Sequence, residues 1–193
     1  MIVTKRDSWA MGLVLAATAA FAAPAQANLV TNGSFETADF SGWITTGDSL
    51  FNGVQCPGAD DSVFAGACSA YFGSGTDSGI TQTINVGGAG KTWNLSFAFQ
   101  PDGAIPSSFS VMFGGQTLLS LTTPAAGGYM LYEFSGLTTG ETMTLAFNFV
   151  DPVGFLFLDA VSVTAVPEPA TMAMMGMGLA GLFVSRRRLR KTA

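Results

Sequence analysis

Three runs of this 193-residue chain alternate apolar and polar residues with a period of two, and that alternation restricts the fold more than any other feature. Trp93, Leu95, Phe97 and Phe99 alternate with Thr92, Asn94, Ser96 and Ala98; Phe109-Val111-Phe113 and Met143-Leu145-Phe147-Phe149 repeat the pattern. Successive side chains of a strand point to opposite faces, so each run reads as a strand buried on one side. No apolar stripe of helical period has useful length, and Gly, Ser, Thr and Asn punctuate the chain about every ten residues. Further strands are expected near residues 28–31, 34–36, 49–51, 69–73, 79–86, 116–121, 128–134 and 155–164. Gly114-Gly115 between two runs marks a short hairpin loop. About ten short strands with turns at this spacing predict an all-β, antiparallel β-sandwich.

The two ends have a different chemistry. Lys5 and Arg6, the apolar run from Trp9 to Ala23 and the Ala25-Gln26-Ala27 box form the parts of a secretory signal peptide. Residues 1–27 are therefore expected to be removed, with the mature chain starting at Asn28. At the other end Pro167-Glu168-Pro169 precedes an uncharged run from Ala170 to Ser185 and a basic tail of Arg186, Arg187, Arg188, Arg190 and Lys191. Proline locks φ and holds its predecessor extended, so the Pro-Glu-Pro stretch is an exposed, non-helical handle. At roughly 1.5 Å per residue the run spans about 24 Å, short of the roughly 30 Å hydrocarbon core, which makes residues 170–185 a marginal single transmembrane helix. Basic residues stay cytoplasmic, so everything before Pro167 lies outside.

Residues 166–191 resemble the PEP-CTERM sorting signal of Gram-negative bacteria, with its Pro-Glu-Pro box, short transmembrane helix and arginine-rich tail in the same order. The resemblance implies export by the Sec machinery, transient inner-membrane anchoring, and cleavage near the box by a membrane-embedded exosortase. Delivery to the cell surface or to the exopolysaccharide matrix follows. An ordinary single-span tail anchor is the alternative.

Between the ends lies one domain, residues 28–165, long enough for a hydrophobic core. Over residues 28–166 Lys91 is the one basic residue against eleven acidic ones, a net charge of −10. Such a surface repels nucleic acid and anionic membranes and attracts divalent cations. Cys56 and Cys68 both fall in the exported part and are most simply a disulfide; two free thiols or an intermolecular link are the other possibilities.

Asn28-Leu-Val-Thr-Asn-Gly-Ser-Phe-Glu36, followed by Ser41-Gly42-Trp43, resembles the opening of galactose-binding-like jelly rolls and several carbohydrate-binding modules. Ser69-Ala-Tyr-Phe-Gly73 and Gly79-Ile-Thr-Gln-Thr83 also look like this group. Phe157-Leu-Asp-Ala-Val-Ser-Val163 resembles its last strand, usually L-D-D-V, with Ala160 in place of the second Asp. The resemblance implies a jelly roll and a structural Ca²⁺ where the first and last strands meet. Its ligands carry over to Glu36 and Asp159, with Asp77 a weaker candidate. The residues point the same way, because Asp159 alternates with Phe157, Val161 and Val163 and the domain offers no base but Lys91. A buried carboxylate without a partner is costly, and a hard cation suits it. If the strand's phase slips at a bulge, Asp159 faces water instead.

Trp43, Trp93, Tyr71, Tyr129 and Tyr132 could form a sugar-stacking platform, but both tryptophans read as core, and Tyr129 and Tyr132 have opposite parity on one strand. Catalysis has little footing. The chain has no histidine, which removes Ser-His-Asp, Cys-His and His-ligated zinc chemistry, and the adjacent pair Asp60-Asp61 reads as solvated charge. The expected role is that of a non-enzymatic surface or matrix protein associated with exopolysaccharide. A purely structural or adhesive jelly roll is the alternative, and a polysaccharide hydrolase a more distant one.

Overall fold

The computed structural model describes residues 27–56, 63–166 and 177–178. Among these residues ten strands form two five-stranded sheets: β1 (Ile44–Gly47), β2 (Asn52–Gln55), β3 (Ser69–Phe72), β4 (Ser78–Asn85), β5 (Thr92–Gln100), β6 (Ser108–Phe113), β7 (Gln116–Thr122), β8 (Met130–Leu137), β9 (Thr142–Val150) and β10 (Leu156–Val166). One sheet has the order β1-β4-β9-β6-β7 and the other β2-β3-β10-β5-β8. Neighbouring strands run antiparallel throughout, which makes the domain the antiparallel β-sandwich the alternation predicts and the jelly roll the resemblance implies. Antiparallel pairing places the β1–β2, β3–β4, β5–β6, β7–β8 and β9–β10 connections together at one end of the sandwich.

The apolar phases of β5, β6 and β9 meet between the sheets. Trp93, Leu95, Phe97 and Phe99 from one side and Phe109, Val111, Phe113, Leu145, Phe147 and Phe149 from the other are buried together. Phe72 stacks on Phe149 with ring centroids 3.7 Å apart, and Phe99 on Phe109 at 3.9 Å. Each such side chain contributes roughly 1.5–3 kcal/mol through the water it leaves, which is how a chain without helices holds a core.

Three expected strands are corrected. Residues 28–31 and 34–36 are irregular and turn backbone, not strand: Asn32 and Phe35 have positive φ of 51° and 57°, and the Asn32 amide donates to the carbonyls of Asp39 and Ser41. Residues 49–51 precede a strand, because the Asp48 carboxylate accepts the Leu50 N–H and β2 starts only at Asn52. Conversely β1 was not expected, being four exposed residues held at a sheet edge by β4.

The last strand carries an irregularity that shapes everything near it. Its pairing with β5 shifts between Asp159 and Ser162, and Ala160 there has φ of 51°. Leu156 and Leu158 before the bulge and Val161 and Val163 after it all reach the core. The opening turn docks on this bulge. Val161 N–H donates to Gly33 O at 2.8 Å, the Asn28 amide donates to Val161 O at 3.0 Å, and Leu29 N–H donates to Val163 O at 2.8 Å. A Cβ on Gly33 would collide with Val161 O, so glycine is required there.

Cys56 and Cys68 are joined in a disulfide with their Cα atoms 4.5 Å apart, closing the β2–β3 connection. The signal peptide up to Gln26, Pro167-Glu168-Pro169, the basic residues Arg186, Arg187, Arg188 and Arg190, and Asp60-Asp61 lie outside the described residues. So does the 170–185 run, apart from Met177 and Gly178, which are helical.

Candidate functional site

Glu36 and Asp159 do come together, and a single short segment joins them. Phe64 and Ala65 donate their N–H groups to Asp159 Oδ2 at 2.9 and 3.0 Å, and Ala67 and Cys68 donate theirs to Glu36 Oε1 at 2.9 and 3.1 Å. Asp159 Oδ1 accepts the Ala160 N–H. The expectation that Asp159 shares a face with Val161 and Val163 is corrected: the bulge shifts the phase, so Asp159 points to the outer side of the sheet with Phe157. Yet it is fully buried, because residues 63–68 fold over it. Its charge is met by backbone amides rather than by a basic side chain. Burial pushes the Asp159 carboxyl above its ordinary value, the amide bonds pull it back, and the charge of Glu36 adds to the rise.

Asp77 does not join this pair. It sits in the β3–β4 turn, where its carbonyl accepts the Asp48 N–H at 3.4 Å. Among the described residues no group of three or more His, Cys, Asp or Glu converges on one point. The donor set at Glu36 and Asp159 is therefore two carboxylates, both hard oxygen ligands of the kind calcium takes.

The outer face of the β2-β3-β10-β5-β8 sheet carries two hollows, one on each side of the covered Asp159. Towards the start of β10, Gln55, Tyr71, Phe155 and Phe157 line an aromatic hollow of about 390 Å³. Tyr71 meets Phe155 edge-on at 5.5 Å and lies across Gly53, where a Cβ would strike its ring. Past the bulge, Asn94, Ser96, Glu133, Ser135, Ser162 and Thr164 line a polar groove of about 440 Å³. Phe64 stands on the bridge between the hollows, 45% exposed, with its ring 5.7 Å from that of Tyr129. Burial pushes the Tyr129 phenol well above its ordinary value, and the nearby Asp159 adds to that rise.

The five aromatics of the expected platform therefore separate. Trp43 and Trp93 are buried in the core, the indole N–H of Trp43 donating to Asn32 O at 3.1 Å. Tyr132 stacks on Phe97 at 5.4 Å on the core side of β8. Tyr71 stays on the outer face, and Tyr129 supports the bridge. The sequence shows the groove residues only as the polar phase of amphipathic strands, which carries no signal of a site. Phe155 and Phe157 carry only a strand signal in the sequence.

Residues 165–188 match the PEP-CTERM protein-sorting motif. No curated protein matches the chain. Among solved structures, TmCBM61 in complex with β-1,4-galactotriose superposes with a TM-score of 0.60 at 16% identity, over 72% of this chain and 99% of that one. The CBM22-1 xylan-binding domain of Paenibacillus barcinonensis Xyn10C gives 0.51 at 18% identity, over 77% of this chain and 100% of its own. The enzymatically active domain of bacteriophage CBA120 tailspike protein 4 gives 0.55 at 19% identity, over 72% of this chain and 21% of the tailspike chain. The chain thus carries a PEP-CTERM sorting motif behind a jelly roll whose structural neighbours include carbohydrate-binding modules. At these identities the likeness is one of fold.

The raised Asp159 carboxyl has a signed consequence for stability. A group that holds its proton more tightly folded than unfolded contributes stability that is full below its ordinary value of 3.8 and is lost as pH rises through the folded value. In chelator, urea midpoints between about pH 4 and 7 should therefore fall less steeply for Asp159→Asn than for the wild type. Parallel slopes in the two proteins would contradict the burial of this charge.

Proposed function

We propose that this is an exported, exosortase-processed surface protein whose jelly roll binds exopolysaccharide on the outer face of its second sheet, without catalysing its cleavage. The observation that carries the reading is the pair of hollows flanking Asp159. Hydroxyl and amide groups of Asn94, Ser96, Ser135, Ser162 and Thr164 can exchange hydrogen bonds with sugar hydroxyls, while Tyr71 and Phe157 offer aromatic faces to a pyranose ring. The two hollows lie along β10, so a chain of sugars rather than one residue suits them. A domain carrying −10 favours a neutral polymer over an anionic one.

The sorting motif supports the rest of the reading. Export places the domain outside, the marginal hydrophobic run holds it at the inner membrane, and exosortase cleavage near Pro167-Glu168-Pro169 frees it for the cell surface or matrix. The TM-score of 0.60 to a module bound to β-1,4-galactotriose favours a sugar ligand over a purely adhesive role.

The reading also includes a structural Ca²⁺ held by Glu36 and Asp159. A like-charged pair, Asp159 buried and Glu36 exposed, without a basic side chain among its hydrogen-bond partners fits a hard divalent cation. Such an ion would neutralise both carboxylates and strengthen the hold of residues 63–68 on the bulge. The protein's own part is to present the two carboxylates on the opening turn and the last strand and to fix them with backbone amides.

Affinity electrophoresis in gels containing the producer's own exopolysaccharide tests the binding. The wild type should be retarded, while Tyr71→Ala/Phe157→Ala and Asn94→Ala/Ser162→Ala should each weaken retention about tenfold, roughly 1.4 kcal/mol. Equal mobility of wild type and both variants at every polymer concentration would leave the adhesive alternative standing. For calcium, melting in millimolar Ca²⁺ should exceed melting in EGTA, by about 2.7 kcal/mol of stability where the ion is at a hundred times its Kd. Coincident curves would remove the ion from the reading.

A further inference from the structure

At the end of the sandwich where β5 turns into β6 and β9 into β10, a second pair of carboxylates meets. Gln100 pairs with Phe157, and the antiparallel register carried two residues further sets Asp102 opposite Phe155. Asp102 is exposed; its Oδ2 accepts the Phe155 N–H at 2.8 Å and its Oδ1 the Ala104 N–H at 2.8 Å. Asp151 is fully buried, and its Oδ1 accepts the N–H groups of Val153 and Gly154 at 3.2 and 2.8 Å. Consecutive amides, those of Gly154 and Phe155, therefore hold one oxygen of each carboxylate, and the two groups lie within hydrogen-bonding reach of each other. A Cβ on Gly154 would fall on Asp102 Oδ2, so glycine alone lets the groups approach.

One oxygen is left over. Asp151 Oδ2 is buried and has no hydrogen-bond partner among the described residues. Burial first, and then the neighbouring Asp102, push the Asp151 carboxyl above its ordinary value, while the Gly154 and Val153 amides pull it back. Two carboxylates in contact repel unless a cation or a shared proton lies between them, and a buried oxygen cannot turn to water. Lys91 cannot serve, because it lies in the β4–β5 connection at the opposite end, where its N–H donates to Thr138 Oγ1. We propose that Asp102 and Asp151 form a divalent-cation site, filled by calcium in the exported protein, which ties the β5–β6 loop to the β9–β10 loop.

This site is separate from Glu36 and Asp159, whose carboxylates accept the amides of residues 64–68. It reaches the aromatic hollow through Phe155, whose N–H is bound to Asp102 and whose ring packs edge-on against Tyr71. A cation here fixes the residue that closes one wall of that hollow.

Terbium luminescence and calcium competition, on the full-length chain in non-ionic detergent, test the site. Asp102 is exposed, so Asp102→Asn should keep the near-ultraviolet circular dichroism of the wild type. It should weaken one class of bound ion at least tenfold, calcium should displace that ion from the wild type, and Glu36→Gln should leave the class intact. Asp151→Asn, where it folds, should reproduce the loss. Identical titrations of wild type and Asp102→Asn would overturn the proposal, and so would loss of all bound terbium in Glu36→Gln. A wild type that binds no ion here, yet shows a melting shift between about pH 5 and 7 that Asp102→Asn abolishes, would mean a shared proton instead and would equally overturn it.

Discussion

The bulge in β10 between Asp159 and Ser162 is the constraint on which the rest of this jelly roll depends. A regular strand would have sent Phe157 and Asp159 to the same side as Val161 and Val163. The extra residue instead lets Leu156, Leu158, Val161 and Val163 all reach the core while Asp159 faces out. Two segments outside the sheets then fasten to it. The opening turn binds through Gly33, Asn28 and Leu29, and residues 63–68 bind through the Asp159 carboxylate. Ala160, on the bulge itself, adopts a φ of 51° that few non-glycine residues take.

Much of the sandwich was legible because β5, β6 and β9 are amphipathic with a strict period of two, and burial of one phase is enough to specify a strand. The short strands were not. β1 and β2 have four residues each, and their partners on β4 and β3 supply the pairing that their own side chains cannot. The opening stretch looked extended because Leu29, Val30 and Phe35 are apolar, yet Asn32 and Phe35 turn the backbone to positive φ and local side-chain bonds hold it there. Apolar character reported burial correctly, since Val30 and Phe35 are both core, but not backbone form.

The sites divide along similar lines. That Glu36 and Asp159 meet followed from a family resemblance, whereas the way their charge is met depends on amides of residues 64–68, and no side-chain pattern encodes those. Asp102 and Asp151 stand 49 positions apart and were visible only as two acids among eleven. Strand register, with Gln100 on Phe157 and Ser108 on Val150, is what brings their loops together. The groove of Asn94, Ser96, Ser162 and Thr164 was present in the sequence as a polar phase. Its meaning appears once three strands lie side by side.

A polar groove and an aromatic hollow lie along one strand of the β2-β3-β10-β5-β8 sheet, with a covered carboxylate between them. Binding should therefore mark one face of the sandwich. The most direct measurement is a ¹⁵N-¹H shift map of the exported domain titrated with oligosaccharides cut from the producer's matrix polymer. Shifts at Asn94, Ser96, Tyr71, Phe157 and Ser162, with Ser110 and Asn148 of the other sheet unmoved, are the expected result. Shifts confined to the other sheet, or none up to millimolar sugar, would contradict it.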